Sequence, residues 1–460
     1  MSRTFEPRPG FTVRAYQFAL EPTRQQAASL RSNCGGQRFA YNWGLARVKA
    51  NLAQREAERS YGVPKQELTP SLNWSAFSLR KDWNQAKHDV APWWADNSKE
   101  AYSSGLANLA DGLSNWNASR KGQRKGPTVR FPRFKSAKRD TPSCTFTTGA
   151  FGLVEADRRH VRLPKIGVVR THESTRKLAR RVEADTARIL TATVSYRRGR
   201  WFVSLQAEVQ RDQPQPASRG GTVGVDLGVK SLAVLSTGET IPNPKHLDAA
   251  RRQLRRLQRR AARRWTPGTR PDEQSRRWQA TQGRIRRLHA YVANARQDGL
   301  HQLSTRLASE FDTIVLEDLH VAGMLKNRTL ARAIADVGMG ELRRQITYKT
   351  TWNQRRLVIA NRWYPSSKTC SACGVVKTKL RLWQRTFHCD NDACGLVIDR
   401  DLNAARNLAN LAEAAGGTSS QSCGATINEP AGNPPKTTTP PGVPGSGYRH
   451  GKTTSVAKAA

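Results

Sequence analysis

The chain has 460 residues, with 77 Lys and Arg against 36 Asp and Glu, a formal net charge of +41. So large a positive field is of no use to an enzyme of small metabolites and points to a polyanion, either nucleic acid or an anionic membrane surface. Mean hydropathy is −0.67, no apolar run approaches the ~18 residues of a membrane span, and the first residues lack a signal-peptide core. Nucleic acid is therefore the expected partner, and the cytoplasm, in association with the nucleoid, the expected location.

In chain order, Thr12 to Leu20 alternates as a strand and leads through Glu21-Pro22-Thr23 into a helical pattern carried by Leu30, Phe39, Tyr41, Trp43, Leu45 and Val48. Trp74 to Trp116 is helical in pattern and rich in tryptophan. Arg120 to Lys138 is a basic loop broken by Gly and Pro, with aromatic residues among its cations, an arrangement that suits gripping a backbone and stacking bases. Arg130, Arg133 and Lys135 are its candidate contacts, and a solvated surface loop is the plain alternative.

Short alternating runs from Thr141 to Gln210 predict strands, with a hairpin turn at Arg197 to Arg200. The Pro/Gly/Ser stretch at 212–221 marks a domain boundary. From Thr222 the pattern is strand, turn, strand, then a long basic helical segment over Leu247 to Leu307, a buried-type strand at Thr313 to Leu316, a helix over Met339 to Trp352, a strand at Leu357 to Asn361 and a closing helix from Asp401. Strands alternating with helices predict an α/β fold with a mixed sheet. Residues 416–460 carry no apolar periodicity and are expected to be disordered.

Seven cysteines are present, and four of them lie between 370 and 394. The odd count and uneven spread do not fit a secreted disulfide framework. The four form Cys370-x2-Cys373 and Cys389-x4-Cys394, each pair followed by glycine, Gly374 and Gly395. Four thiolates at this spacing fit a tetrahedral, structural Zn²⁺ site with no position open for catalysis. A redox pair or unrelated buried thiols are the alternatives.

Three carboxylates stand out. Asp226 lies in an apolar strand, where an unpaired carboxylate is costly to bury. Glu317 ends the strand TIVL, and Asp401 starts the last helix. Brought together, they would form a cradle for two Mg²⁺ ions that hydrolyse a phosphodiester. The residues alone leave other roles open: Asp401 or Asp399 as a helix cap, and Glu317 and Asp318 as solvated strand-end groups.

The ordered blocks VGVDLGVKSLAVLSTG, IVLEDLHVAGMLKN, RWYPSSKTCSACG and FHCDNDACGLVIDRDLNAARNL resemble the TnpB family, RNA-guided endonucleases of insertion sequences related to type V CRISPR effectors. RAYQFALEPTRQQ, RFAYNWGLAR and RLPKIGVVR resemble its N-terminal half, so the likeness covers roughly residues 11–413. The resemblance implies an RNase H-like RuvC nuclease domain, split over 218–365 and 399–415, with a zinc ribbon at 366–398. It also implies a β-barrel wedge domain at 1–20 and 121–215 and a helical recognition lobe at 21–120. Asp226, Glu317 and Asp401 match the family's catalytic, Mg²⁺-binding carboxylates, and Cys370, Cys373, Cys389 and Cys394 its zinc ligands. Lys99 falls in the region that inspects the motif beside the target. A guide RNA and a double-stranded DNA target are the implied partners. The second knuckle departs from the family, with x4 where x2 is usual. Three other readings remain: a type V CRISPR effector, a guided DNA-binding repressor without cleavage, and a strand-transfer transposase.

Overall fold

The computed structural model describes residues 6–124, 126–155, 157–211, 216–271, 273–381, 383–414 and 426–427. The first strand, β1 (Phe11–Glu21), runs into α1 (Arg24–Ser60), followed by α2 (Ala76–Val90) and α3 (Lys99–Arg120). Thr23 starts α1 with a reciprocal cap: its hydroxyl accepts from the Gln26 N–H, and the Gln26 side chain accepts from the Thr23 N–H. The expected helical stretch from Trp74 to Trp116 is broken by a 3-10 turn at Pro92–Asp96. Proline starts that turn and Ser98 caps the next helix. Leu45, Val48, Leu79, Trp83, Leu106, Leu109 and Leu113 make the core between these helices. Gly105 lets α3 cross α1 closely, because a Cβ there would lie 2.3 Å from the Gln37 carbonyl oxygen.

β2 (Ser143–Phe146), β3 (Gly152–Leu153), β4 (His160–Leu163) and β5 (Gly167–Thr171) follow, then α4 (Arg176–Glu183), β6 (Ala187–Arg197) and β7 (Arg200–Gln210). They form an antiparallel seven-stranded sheet in the order β2-β6-β7-β1-β5-β4-β3, so the first strand in sequence sits centrally. The β6–β7 turn is where sequence places it. Arg198 and Gly199 both take left-handed φ, 53° and 83°, the turn whose twist matches paired strands.

The second sheet contains β8 (Thr222–Leu227), β9 (Ser231–Leu235), β10 (Thr240–Pro242), β11 (Thr313–Glu317), β12 (Arg356–Ala360) and β15 (Thr426–Ile427), in the order β10-β9-β8-β11-β12-β15. β8, β11 and β12 are parallel and the others antiparallel, giving the mixed sheet expected. Apart from Thr426–Ile427, the tail expected to be disordered lies outside the described residues. The basic segment read as one helix from Leu247 to Leu307 is two, α5 (His246–Arg263) and α6 (Arg276–Glu310). The break holds Pro267, Gly268 and Pro271, and Ser275 caps the restart. Short helices α7 (Val321–Met324) and α8 (Ala331–Val337) precede α9 (Met339–Trp352). A small hairpin, β13 (Thr386–His388) with β14 (Val397–Asp399), leads straight into α10 (Arg400–Ala414). Among the described residues no helix is long and apolar enough to cross a membrane.

Both faces of the second sheet are covered, which is why TIVL reads as a continuous apolar run. Val223, Val225, Ile314, Leu316, Leu357 and Ile359 pack toward Leu300, Leu303 and Leu307 of α6 and Leu342 and Ile346 of α9. Val315, Val358 and Ala360 pack with Leu408 and Ala412 of α10. By strand alternation Gly224 and Asp226 of β8, and Glu317 of β11, belong to the α10 side.

Candidate active site and metal centre

The carboxylates are assembled by strand register and one glycine. β8 and β11 run parallel with Val225 beside Leu316, so the next step along both strands sets Asp226 beside Glu317. Gly224 lets α10 lie directly on β8: a Cβ there would meet the Ala405 carbonyl oxygen at 1.9 Å and the Ala409 nitrogen at 2.6 Å. From Gly224 to Asp226 the strand rises about 6.6 Å. From Ala405 back to Asp401 the helix rises about 6 Å. The two elements advance in step, which carries Asp401 to the level of Asp226.

Electrostatics report the same convergence. Burial, then the charges of Glu317 and Asp401, push the Asp226 carboxyl up from 3.8 to about 8, while Arg400 works in the opposite direction. Ser366, buried in the loop after β12, donates its hydroxyl to Glu317 Oε1. Arg385 brings Nη1 to 3.8 Å from Asp401 Oδ1.

The neighbouring carboxylates take other roles. Asp399 accepts the N–H groups of Asp401 at 2.9 Å and Leu402 at 3.0 Å, so it is the cap of α10 and leaves the Asp401 side chain uncommitted to capping. Asp318 is gripped by Arg343 and Arg362, each at 2.5 Å, and those two guanidiniums hold its carboxyl below the usual range. The pair Glu317-Asp318 therefore divides into one group facing the site and one holding the scaffold.

The sulfurs of Cys370, Cys373, Cys389 and Cys394 lie within 4.8 Å of one another. Cys370 and Cys394 are 3.7 Å apart and Cys373 and Cys389 3.5 Å. Zn–S bonds of about 2.3 Å in a tetrahedron place sulfurs about 3.8 Å apart, so the donor set and its spacing fit Zn²⁺. Among the described residues no other His, Cys, Asp or Glu group converges this tightly. The three carboxylates do not form so tight a group. Gly374 and Gly395 take left-handed φ of 76° and 56°, as the two knuckles require. The x4 spacing is absorbed locally. In the first knuckle the Cys370 N–H donates to the carbonyl of Val375, in the second the Cys389 N–H donates to that of Leu396, and the two extra residues loop out between. Asn391 shapes that loop, donating its N–H to Cys389 Sγ and accepting from Ala393.

The cysteine knuckles and the carboxylate helix are joined by an asparagine ladder that sequence reasoning missed. Asn403 accepts from the Ser371 N–H and donates to the Thr369 carbonyl. Asn407 donates to the carbonyls of Ser366 and Thr369, and Asn410 to that of Ser371. The signal was present as asparagines at i, i+4 and i+7 of the last helix, which share one face.

The expected nucleic-acid contacts are dispersed. Lys99 is exposed at the start of α3, and Arg130 and Arg133 are exposed on the basic loop. Lys135 is half-buried: its ammonium lies 4.1 Å from the Tyr41 ring centroid, and its N–H and carbonyl are both bonded by the Asn42 amide.

Comparison with known proteins identifies the family. A family model described as "Probable transposase", that of OrfB of IS605, matches residues 203–328. A "Cas12f1-like, TNB domain" model matches 340–408, which includes the four cysteines and Asp401. A "Helix-turn-helix domain" model matches 12–57, although those residues here form one strand and part of one unbroken helix. A Mycobacterium tuberculosis (strain ATCC 25618 / H37Rv) protein named "Putative RNA-guided DNA endonuclease" is 41% identical over 426 residues, covering 88% of this chain and 87% of that one. One of the same name from Streptomyces pristinaespiralis is 36% identical, covering 89% and 91%. One from Escherichia coli (strain K12) is 29% identical, covering 86% and 91%. With relatives this similar along nearly their whole lengths, the chain belongs to the TnpB family, the OrfB family of IS605 elements.

Proposed function

We propose that this chain is an RNA-guided DNA endonuclease of a transposable element, which pairs a bound guide RNA with one strand of a double-stranded target and cuts DNA at the Asp226, Glu317 and Asp401 cluster. The observation that carries the reading is the convergence of three carboxylates from β8, β11 and α10 on an Asp226 whose proton is held to about pH 8. Such a cluster is unfavourable without a cation and fitting with one. Relatives that match most of the chain carry names of the same activity.

Asp226, Glu317 and Asp401 would hold Mg²⁺, which when bound supplies water activation and stabilisation of the leaving oxygen. Ser366 fixes the Glu317 carboxylate, Arg385 faces Asp401, and the Asp399 cap keeps the first turn of α10 in place. The four cysteines would hold a structural Zn²⁺ that closes a ribbon at 366–398. In this reading residues 218–365 and 399–415 are a RuvC-like nuclease unit of RNase H type. The seven-stranded sheet belongs to a wedge domain and α1 to α3 to a recognition lobe. Sequence is read by base pairing while protein cations follow backbone and shape, which suits a net charge of +41.

The testing experiment is to purify the protein from its host and sequence the RNA bound to it. A transcript ending at the element boundary, and programmable cleavage with that RNA, are expected. A CRISPR RNA would assign it instead to a CRISPR effector, and absence of bound RNA would defeat the reading.

A further inference from the structure

Two tryptophans in the segments that lead to the carboxylates are largely exposed. Trp363 is 85% exposed and Trp383 is 71% exposed. Indoles are normally among the most buried surfaces in a fold, and neither of these rings stacks on another ring or a cation among the described residues. Both are tied to the site by short chain. Trp363 lies three residues after Ala360, the strand partner of Glu317, and three before Ser366, which bonds Glu317. Trp383 lies three residues before Thr386, the strand partner of the cap Asp399, and two before Arg385, which faces Asp401. At about 3.6 Å per residue at most, neither Cα can stand more than about 11 Å from those partners. Exposed cations accompany them: Lys379, Arg381 and Arg385 lie around Trp383, while Arg362 next to Trp363 is exposed but paired with Asp318.

We propose that Trp363 and Trp383 are base-stacking residues that hold a single DNA strand at the carboxylate cluster, one from the Glu317 side and one from the Asp401 side. The inference rests on the nuclease reading above and adds how the strand is held. In the guided reading, pairing of the guide with one target strand displaces the other, and that unpaired strand must be held at the cluster to be cut. Flat aromatic faces with cations between them bind such a strand whatever its sequence, because every base has a π face and every linkage a negative charge. A guided enzyme requires this indifference, since its target changes with the guide. A protein partner could also cover exposed indoles, but the exposed cations around Trp383 match phosphates.

The test uses the full chain with its copurifying RNA. In an Asp226→Ala background, which prevents cutting, a single-stranded DNA oligonucleotide carrying 2-aminopurine is titrated onto the parent and onto Trp363→Ala, Trp383→Ala and the double variant. The parent is expected to quench the 2-aminopurine, as stacking does. Each alanine should weaken binding of this strand by about 5- to 150-fold. RNA content and melting temperature should be unchanged, because exposed side chains are being removed. With the carboxylates intact, the same alanines should slow cleavage while Trp363→Phe and Trp383→Phe retain most of it. Parent-like quenching and cleavage by the alanine variants would overturn the proposal, as would a loss that includes RNA binding. If the parent cuts no guided target, the nuclease reading fails separately, and the 2-aminopurine titration still decides whether these rings stack on a single strand.

Discussion

Gly224 and Ala405 touch backbone to backbone: a Cβ on the glycine would lie 1.9 Å from the alanine's carbonyl oxygen. This contact fixes the level at which α10 rests on β8 and hence the approach of Asp401 to Asp226. Gly224→Ala should push the helix away, destabilise the protein by roughly 1–3 kcal/mol or more, as overpacking does, and reduce cleavage far more than RNA binding. Thermal unfolding and guided cleavage of the same preparation check this. A variant with parent-like melting and cleavage would show that the helix is not seated there.

Asp399 and Asp401 are separated in role by the bonds they make. Asp399 accepts two backbone N–H groups, and asparagine caps helices about as well as aspartate. Asp399→Asn should therefore retain most activity and stability, whereas Asp401→Asn should abolish cleavage without unfolding the chain. Reversed effects would exchange the two assignments.

How far this was legible in the sequence can be judged at such positions. Apolar periodicity located β1, α1, β11, β12 and α9 closely, and the cysteine spacing located the four-sulfur cluster. Asp399 and Asp401 are chemically alike, so only hydrogen bonding distinguishes a cap from a free carboxylate. The α5–α6 break was missed because arginine and leucine spacing continues on both sides of Pro267 and Pro271. Lys135 looked like a surface cation, yet Tyr41 and Asn42, the latter 93 residues earlier, hold it half-buried. Ser366 and the asparagine ladder act through contacts long in sequence, which local patterns do not reveal.

The ladder makes the four-cysteine cluster a support for the carboxylate helix. Removing zinc with a chelator, or replacing Cys370 and Cys373 by serine, should loosen the 366–371 loop, release Ser366 from Glu317 and lower cleavage. Asn407→Ala, which removes the amide donor of the Ser366 carbonyl and leaves Thr369 with Asn403 alone, should cost about 1–3 kcal/mol and speed zinc loss. Zinc content, melting temperature and cleavage rate are the readouts. Full cleavage in a folded, zinc-free double serine variant would contradict the coupling.

The raised Asp226 gives a pH dependence of definite sign. Its folded value of about 8 lies above the ordinary 3.8, so between them the folded chain binds a proton that the unfolded chain does not. Metal-free protein should therefore lose stability as pH rises from about 4 to about 8. A cation that displaces this proton should bind about tenfold more weakly for each pH unit below 8. Mg²⁺-induced shifts in melting temperature at pH 6.5 and 8.5 test this, and equal shifts would contradict it.

The α5 face carries Arg252, Arg255, Arg256, Arg259 and Arg263, all exposed, in rows four residues apart. If these follow a phosphate backbone, Arg255→Gln with Arg259→Gln should reduce the slope of log affinity for RNA against log salt by roughly 1.4–1.8. An unchanged slope would mean that this surface is solvated.

The most direct test of the account is Mg²⁺-dependent cleavage of a guide-matched duplex by the parent and by Asp226→Ala, Glu317→Ala and Asp401→Ala, with RNA and target binding measured alongside. The account predicts that the parent cuts, and that each variant binds RNA and target but does not cut. Parent-like cleavage by any one of the three would contradict it.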